Sequence, residues 1–405
     1  MRRQRRLLLG TWLATRALFA AIVLRGVHIP GLRTSNGDIR LYVHWSAILA
    51  QGRFPANDPQ WQYPPLAGPL LLLPKYIAAT GLSYVQAFLL LAVVVDGVIL
   101  WVLATHKHSR FAGAWFWMAW PIALGPMGFA RYDLFVTLAA VLALAALPRM
   151  RWFGALTAVG AMLKVWPALF LLALPRRKVA FNALATFTGT VVLCLLGGFL
   201  VGGHQLSFLT GQSGRGIEQE AVAATPFHVL RVFGWKGVTA RHQYGSSELI
   251  GSGIHVTAKL CLLATVVLLA VIAIMVYRRR PEEWDSAFAC DVALVVTLAS
   301  IVTSRVLSPQ YFIWLLGVSA ICLIHQETRQ RPAVLLVLAA TLITHIEFPY
   351  NWNGLKTSQT GAVAVLGMRN LVLCGALAAG FWGLRRPASV PAGESPREQT
   401  VPVRL

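Results

Sequence analysis

Apolar runs of close to twenty residues recur from one end of this chain to the other, and no other feature restricts its fold as strongly. A run of that length is what an α-helix needs to cross the hydrocarbon core of a bilayer. The chain is 57% hydrophobic and only 13% charged, whereas a soluble domain carries about 25% charged residues. Its mean hydropathy is +0.62. The sequence therefore predicts an all-α polytopic membrane protein.

The apolar runs predict ten membrane crossings, at about residues 7–27, 83–105, 112–128, 132–148, 179–201, 257–277, 286–304, 309–324, 332–348 and 363–384. Residues 66–79 are apolar but short and interrupted by prolines, so we expect them at the membrane interface. Residues 152–174 are long enough to cross, yet basic clusters flank both ends and Pro167 interrupts the middle. This pattern predicts a hairpin that returns to the cytoplasm. Counting its two arms gives twelve helices.

Lysine and arginine are distributed unevenly between the segments that join these helices. The net charge of +21 would indicate nucleic-acid binding in a soluble protein. Here alternate segments carry about four times as many basic residues per position as the others, which is the asymmetry of the positive-inside rule. The sequence thus predicts one domain (1–386) in the cell membrane, both termini and a disordered tail (387–405) in the cytoplasm, and no nucleic-acid partner. Its external loops would be 28–65, 203–256 and 349–362.

Asp38 is the candidate catalytic base. It follows the turn-forming pair Asn36-Gly37 in the first external loop, where a carboxylate can take a proton from an acceptor at the membrane surface. It also precedes an amphipathic stretch, and the residue pattern alone favours an N-cap of an interfacial helix over a base; the two roles are compatible. Asp58 is the rival acid in this loop, but Asn57-Asp58-Pro59 is more typical of a turn.

Arginines occur in two tight connections predicted at the outer interface. Arg131 precedes Asp133. Either this pair holds helix ends together, or Arg131 binds a phosphate while Asp133 orients the arginine. Arg305 lies just before Ser308-Pro309, and it either reaches lipid headgroups or binds the same phosphate. Arginine suits a phosphate because its planar guanidinium group bonds two oxygens at once. We therefore expect Arg131 and Arg305 to converge on one phosphate-sized site.

Other ionisable residues carry weaker signals. Asp96 lies in the middle of a span, where an acid is costly unless it is paired, so it indicates either a transporter or a polar contact between helices. His345 and Glu347 end a span on the outer side and suit either sugar binding or helix capping. No phosphate-binding glycine loop and no zinc-type Cys/His spacing occurs in the sequence.

Several motifs occur in one order along the chain: Asp38 in the first external loop, Gly52-x-x-Pro55 with Gln62-Tyr63-Pro64-Pro65, Arg131-Tyr132-Asp133, Lys164-Val165-Trp166-Pro167, and Ser308-Pro309-Gln310-Tyr311. In this order they resemble bacterial membrane glycosyltransferases of the GT-C type, in particular glycosyltransferase family 87, over about residues 7–384. That family contains actinobacterial polyprenyl-phosphate-mannose-dependent alpha-mannosyltransferases. The chain departs from the pattern at Ala56, where relatives commonly have an aromatic residue.

The resemblance implies a GT-C fold with about 10–12 transmembrane helices and interfacial helices in the large external loops. It implies inverting transfer of a hexose, mannose in those relatives, from a polyprenyl-phosphate donor to a lipid or glycan acceptor on the outer face, with Asp38 as the base. A lipid or glycan flippase and a ligase-type polymer enzyme remain the alternatives.

The remaining site residues follow from their chemistry and predicted position. A departing lipid phosphate needs positive charge, for which the candidates are Arg131, Arg305 and Lys164. The candidate substrate-binding residues are Asp58, Tyr63, Asp133, Gln310, Tyr311, His345 and Glu347. A phosphate held by Arg and Lys does not require a metal, so we expect no metal and no cofactor. The expected partners are membrane lipids, the lipid-linked donor and the glycan acceptor.

Overall fold

The computed structural model of the chain consists almost entirely of helices. It describes residues 2–25, 32–55, 58, 60–61, 63–107, 111–175, 178–201, 206 and 214–385, and the tail at 387–405 lies outside them. The α-helices are α1 (Arg2–Leu24), α2 (Leu32–Leu49), α3 (Ala67–Ala78), α4 (Tyr84–Thr105), α5 (Ala112–Met118), α6 (Trp120–Leu124), α7 (Asp133–Ala145), α8 (Met150–Leu163), α9 (Val179–Val201), α10 (Thr225–Val232), α11 (Ile254–Arg278), α12 (Ser286–Val302), α13 (Tyr311–Leu323), α14 (Arg331–His345), α15 (Trp352–Lys356) and α16 (Thr360–Arg385). The 3₁₀-helices are Pro126–Ala130, Trp166–Ala173, Val222–Ala224 and Pro281–Glu283. A π-helical segment covers Ile346–Asn351.

Some helices are apolar on nearly all sides. In the described part of the chain, five segments are long and apolar enough to cross a membrane: Tyr84–Thr105, Val179–Phe199, Ile254–Arg278, Arg331–Lys356 and Thr360–Arg385. In the most apolar 18-residue stretch of each helix, only 6% of the residues are buried inside the protein for Val179–Phe199 and 17% for Ile254–Arg278. A helix that is apolar all round needs an apolar environment to cover it. The prediction of an all-α polytopic membrane protein is therefore confirmed.

Other apolar helices are too short to cross a bilayer alone. Helix α7 and helix α13 have 13 residues each, against the ~20 that a span needs. Both are enclosed by other helices, and α13 is buried over almost its whole length. Because protein rather than lipid surrounds them, their ends can continue into irregular backbone. The start of α13 supplies Gln310 and Tyr311 to a polar cleft, and the connection before α7 supplies Arg131 beside it.

The predicted hairpin at 152–174 is present as α8 followed by Trp166–Ala173, and its two arms pack against each other. The chain turns at Lys164, which is extended, three residues before Pro167. A proline ring clashes with the carbonyl group four residues earlier, here that of Leu163, so the α-helix ends at that residue. Lys164 therefore lies at the tip of the hairpin.

Asp96 is a polar contact between helices. Its fully buried carboxylate accepts hydrogen bonds from Trp12 Nε1 (2.6 Å), Arg16 Nε (2.9 Å) and Trp120 Nε1 (2.7 Å). These bonds join α4 to α1 and α6. Of the two interpretations of Asp96, the structure favours helix packing, because the carboxylate is already paired and fully hydrogen-bonded.

Helix α2 begins earlier than the sequence predicted. Its backbone is helical from Leu32, so Asn36 and Gly37 lie inside the helix and Asp38 is in its second turn. The interpretations of Asn36-Gly37 as a turn and of Asp38 as an N-cap are therefore wrong. The buried residues Ile39, Tyr42, Trp45 and Leu49 recur at helical spacing, and burial of this face favours a helix despite the glycine.

A small antiparallel sheet lies between α9 and α11 in the chain, and no pattern in the sequence predicted it. Its strands are β1 (Ile217–Glu218), β2 (Val238–Gln243) and β3 (Ser246–Gly251), in the order β1-β3-β2. Tyr244 and Gly245, at the turn between β2 and β3, both have positive φ angles, of 52° and 75°, as a type I′ hairpin requires. Gly245 lies next to Gln60. The sheet and the segment after α2 thus meet at one end of the helix bundle, which we call the loop face.

Candidate active site

A polar cleft of about 330 Å³ opens at the loop face. Helix α2 and the segment after it form one wall, and the β2–β3 turn and the start of α13 form another. The charged and polar residues that line it include Asp38, Gln60, Tyr63, Lys164, Arg215, Tyr244, Arg305, Ser308, Gln310 and Tyr311. Six of the residues predicted from sequence are among them: Asp38, Tyr63, Lys164, Arg305, Gln310 and Tyr311.

Asp38 lies at the edge of the buried face of α2. The next buried positions along that face, Ile39 and Tyr42, anchor the helix in the core. The Asp38 side chain keeps 38% of its surface exposed, so a molecule in the cleft can reach the carboxylate. The cleft therefore contains an acid that is both held in place and accessible.

Arg131 forms an ion pair with Asp38 through its Nη1 atom. Its side chain is only 7% exposed, because it lies in the tight connection between Pro126–Ala130 and α7. Burial lowers the pKa of Arg131 to about 10, while Asp133, Glu220 and Glu218 act in the opposite direction. The group remains a cation at neutral pH and supplies the counter-charge to Asp38.

Lys164 reaches the cleft from the tip of the hairpin. Its Nζ atom lies 2.7 Å from Asp133 Oδ1, which also accepts a hydrogen bond of 2.7 Å from Trp314 Nε1. The ammonium group lies 4.9 Å from the ring centroid of Tyr311 and 4.7 Å from that of Trp314. A carboxylate and two aromatic faces thus hold one cation at the floor of the cleft.

Arg215 is a cleft residue that the sequence analysis missed. It pairs with the fully buried Glu248 of β3, and its Nη2 atom donates to Ser246 Oγ over 2.7 Å. Glu248 also accepts from the Gly216 backbone (3.0 Å) and from Gln243 Nε2 (2.7 Å). The small sheet positions Arg215 through these contacts. The one hint of a site there in the sequence was Glu248, an acid in a predicted external loop.

The turn that carries Arg305 is fastened to the same sheet. The carbonyl oxygen of Arg305 accepts from Glu218 N over 2.9 Å, and Arg305 Nη1 donates to the carbonyl oxygen of Arg215 over 3.3 Å. Ser308 Oγ donates to Glu218 Oε1 over 2.7 Å. Burial raises the pKa of Glu218, against the effects of Arg215 and Ser308. These contacts place two arginines side by side at one end of the cleft.

The other predicted site residues lie away from the surface of the cleft. Asp133 is beneath Lys164, and Asp58 accepts from Trp45 Nε1 over 2.7 Å and from Gln60 N over 2.8 Å. Asp58 therefore fastens its loop to α2, in agreement with the turn interpretation.

Glu347 is fully buried near Arg369, and His345 packs against Gly125. Neither His345 nor Glu347 contributes to the cleft as the described residues define it.

Among the described residues, no three His, Cys, Asp or Glu side chains lie close enough together to hold a metal ion. Metal independence stays a prediction.

The fold and the cleft define a multi-pass membrane protein with a carboxylate and several cations at the end of its helix bundle. The family model for glycosyltransferase family 87 matches residues 61–309, which is more than half of the chain. The chain therefore belongs to glycosyltransferase family 87 and is a membrane glycosyltransferase. No curated protein matches the chain, and no solved structure matches it.

The position of the family match bears on individual residues. It contains Tyr63, Arg131, Lys164 and Arg305, but it begins after Asp38. The ion pair with Arg131 connects Asp38 to the matched region. The assignment of Asp38 thus depends on the geometry of the cleft and on the resemblance given above.

Proposed function

We propose that this protein transfers mannose from a polyprenyl-phosphate donor to a lipid or glycan acceptor on the outer face of the cell membrane, with inversion at the sugar. The observation that carries the proposal is the cleft itself. An accessible carboxylate, Asp38, lines one wall, and Lys164, Arg215 and Arg305 line other parts of it. A base opposite several cations suits a reaction in which a neutral hydroxyl group attacks and an anion leaves.

The reaction is a single displacement. The Asp38 carboxylate accepts the proton of the acceptor hydroxyl group as the oxygen attacks C1 of the sugar. The bond between C1 and the phosphate oxygen breaks, and the phosphate leaves with the electron pair. Lys164, Arg215 and Arg305 stabilise the charge on the departing phosphate, and Asp38 then releases its proton to solvent. No nucleotide sugar takes part.

Arg131 has a different role in this proposal from the one predicted for it. The sequence predicted that Arg131 binds the phosphate together with Arg305, whereas its guanidinium group is paired with Asp38. We assign Arg131 as a positioning residue that orients the base. Binding of the phosphate then falls to Lys164, Arg215 and Arg305.

The membrane orientation is part of the same proposal. The loop face contains segments that are poor in Lys and Arg, and the opposite connections are rich in them. By the positive-inside rule the cleft then faces outward and both termini face the cytoplasm. A donor delivered through the membrane suits this orientation.

Transfer by the purified protein in lipid nanodiscs tests the proposal. We expect mannose to move from a synthetic polyprenyl-phosphate mannose, and not from a nucleotide sugar, to an acceptor in the membrane lipid extract. Asp38→Asn should lower the rate by about 10²–10⁴-fold, the range for loss of a general base. Asp58→Asn is the matched control and should retain most activity. Near wild-type transfer by Asp38→Asn would remove Asp38 from the mechanism.

A further inference from the structure

A second groove, of about 460 Å³, lies beside the cleft between α11 and the end of α12. The two spaces share Arg215, Ser304 and Arg305 as a common wall. Thr265 Oγ1 of α11 and Thr303 Oγ1 lie 2.7 Å apart and join the two sides of the groove. A molecule in this groove can therefore extend over the shared wall into the cleft.

One face of α11 changes character along the groove. His255, Lys259, Leu262 and Val266 are spaced by three or four residues, so they follow one another on the same side of the helix. All four are exposed, Leu262 by 67% and Val266 by 57%. The face is basic near the loop face and apolar further along. Of the five candidate membrane spans, α11 is one of the two with the least burial, so this side borders the lipid.

The groove is cationic, in contrast to its apolar extension. Arg215, His255, Lys259 and Arg305 line it. Arg215 is paired with Glu248 outside the groove, and no Asp or Glu is among the described residues that line the groove itself. Basic groups at the membrane surface above an apolar helix face match the two ends of a lipid phosphate, an anionic head and a hydrocarbon chain. The acceptor is a poorer match, because its hydroxyl group has to reach Asp38 at the other wall of the cleft.

We propose that this second groove, which we call the donor groove, binds the polyprenyl phosphate of the donor. The phosphate lies at the shared wall, where Arg215 and Arg305 contact it as in the proposed reaction. Lys164 contacts it from the cleft side and Lys259 from the groove side. The prenyl chain follows the Leu262 face of α11, and the sugar enters the cleft toward Asp38. This inference rests on the proposed function. It adds Lys259 and His255, which lie outside the cleft, to the residues that select the donor.

Binding of polyprenyl monophosphate, the donor without its sugar, tests the donor groove separately from catalysis. The full-length protein is placed in nanodiscs of phosphatidylcholine, and binding is followed by native mass spectrometry. Loss of one charged contact should weaken binding by about tenfold or more, so we expect this for Lys259→Gln and a larger loss for Lys259→Glu. Lys259→Arg should bind nearly as the wild type does. Lys236→Gln removes a charge that is also exposed but lies outside the groove, and it should leave binding unchanged.

The other source of a lipid phosphate is the bilayer itself. In nanodiscs that include phosphatidylglycerol, polyprenyl monophosphate should still bind, and Lys259→Gln should still weaken it. If phosphatidylglycerol displaces it completely, the groove binds ordinary headgroups and the donor assignment is overturned. Unchanged binding by Lys259→Glu would overturn it as well.

The donor KM for mannose transfer separates this inference from the proposed function. If the wild type transfers mannose and Lys259→Glu has an unchanged donor KM, the donor groove is wrong and the function stands. If polyprenyl monophosphate binds through Lys259 but no mannose is transferred from its mannosyl ester, the groove stands and the proposed function fails.

Discussion

Arg131 is ion-paired with Asp38, and this contact joins two parts of the chain that are far apart in sequence. One partner lies on α2 and the other in the connection before α7. The Arg131 side chain is buried while that of Asp38 is partly exposed, so the arginine is anchored and the acid faces the cleft. A positioning residue and a phosphate-binding residue would respond differently to mutation, which makes the role of Arg131 testable.

We expect Arg131→Met to lower kcat by about 10²–10³-fold, the range for loss of one preorganised hydrogen-bond donor in an active site. Without its partner, the Asp38 carboxylate is free to rotate away from the acceptor. Arg131→Lys should retain more activity, since it keeps the charge but not the planar group. Steady-state transfer rates of the purified variants measure both effects.

The double variant Asp38→Asn/Arg131→Met decides between the two roles. If Arg131 acts through Asp38, the double variant should be no slower than Asp38→Asn alone, because residues that act as a unit are not additive. If Arg131 binds the departing phosphate independently, the two losses multiply. A multiplicative loss would contradict the positioning role.

The sequence identified much of the cleft because its residues lie beside helix ends and prolines. Lys164 is at a hairpin tip that Pro167 specifies, and Tyr311 begins a helix after Ser308-Pro309. Local patterns of this kind fix where the backbone turns. The order of the motifs also led to the correct family.

Contacts between distant segments were beyond the sequence. Arg131 was expected either to pair with Asp133 or to bind a phosphate together with Arg305. It pairs with Asp38, while Asp133 binds Lys164. Arg215 was missed because a three-stranded sheet positions it, and β2 (Val-Thr-Ala-Arg-His-Gln) has too few apolar residues for a strand pattern. Such partners are chosen by tertiary packing and not by residues nearby in the chain.

The pair formed by Lys164 and Asp133 should stabilise the floor of the cleft. The Asp133 side chain is 2% exposed, and removing one partner of a buried pair typically costs about 3–5 kcal/mol. We expect Asp133→Leu to lower the stability of the detergent-purified protein by about that amount, measured by denaturant unfolding. Lys164→Met/Asp133→Leu should be more stable than Asp133→Leu, because no unpaired ammonium group remains. A double variant that is no more stable would show that the ion pair is not the cause.

Orientation in the membrane is tested by cysteine labelling. The five native cysteines are first replaced, and single cysteines are introduced as Lys236→Cys on the loop face and Glu282→Cys in the basic connection after α11. Both positions are exposed. A maleimide that does not cross membranes should label Lys236→Cys in intact cells and Glu282→Cys only after permeabilisation. Labelling of Glu282→Cys in intact cells would reverse the proposed topology.

His228 links α10 to two other segments of the loop face. Its ring is fully buried; Nε2 lies 2.9 Å from the carbonyl oxygen of Gln219, and Nδ1 lies 2.8 Å from Ser358 Oγ. A carbonyl oxygen only accepts, so the neutral ring donates from Nε2 and accepts at Nδ1 from Ser358. Burial lowers the pKa of His228 to about 4, against the effect of the Gln219 carbonyl.

This lowered pKa predicts a loss of stability in acid. As pH falls below about 6.5, the unfolded chain binds a proton at His228, whereas the folded protein does not until the pH reaches about 4. Folding is therefore progressively disfavoured between these values, by up to about 3 kcal/mol.

His228→Gln keeps a donor for the Gln219 carbonyl but does not titrate. We expect it to be less stable than the wild type at pH 7, with a difference that shrinks toward pH 4 because the other acids titrate alike in both proteins. Denaturant unfolding across this range measures the difference, and a constant difference would show that His228 does not titrate as its burial requires.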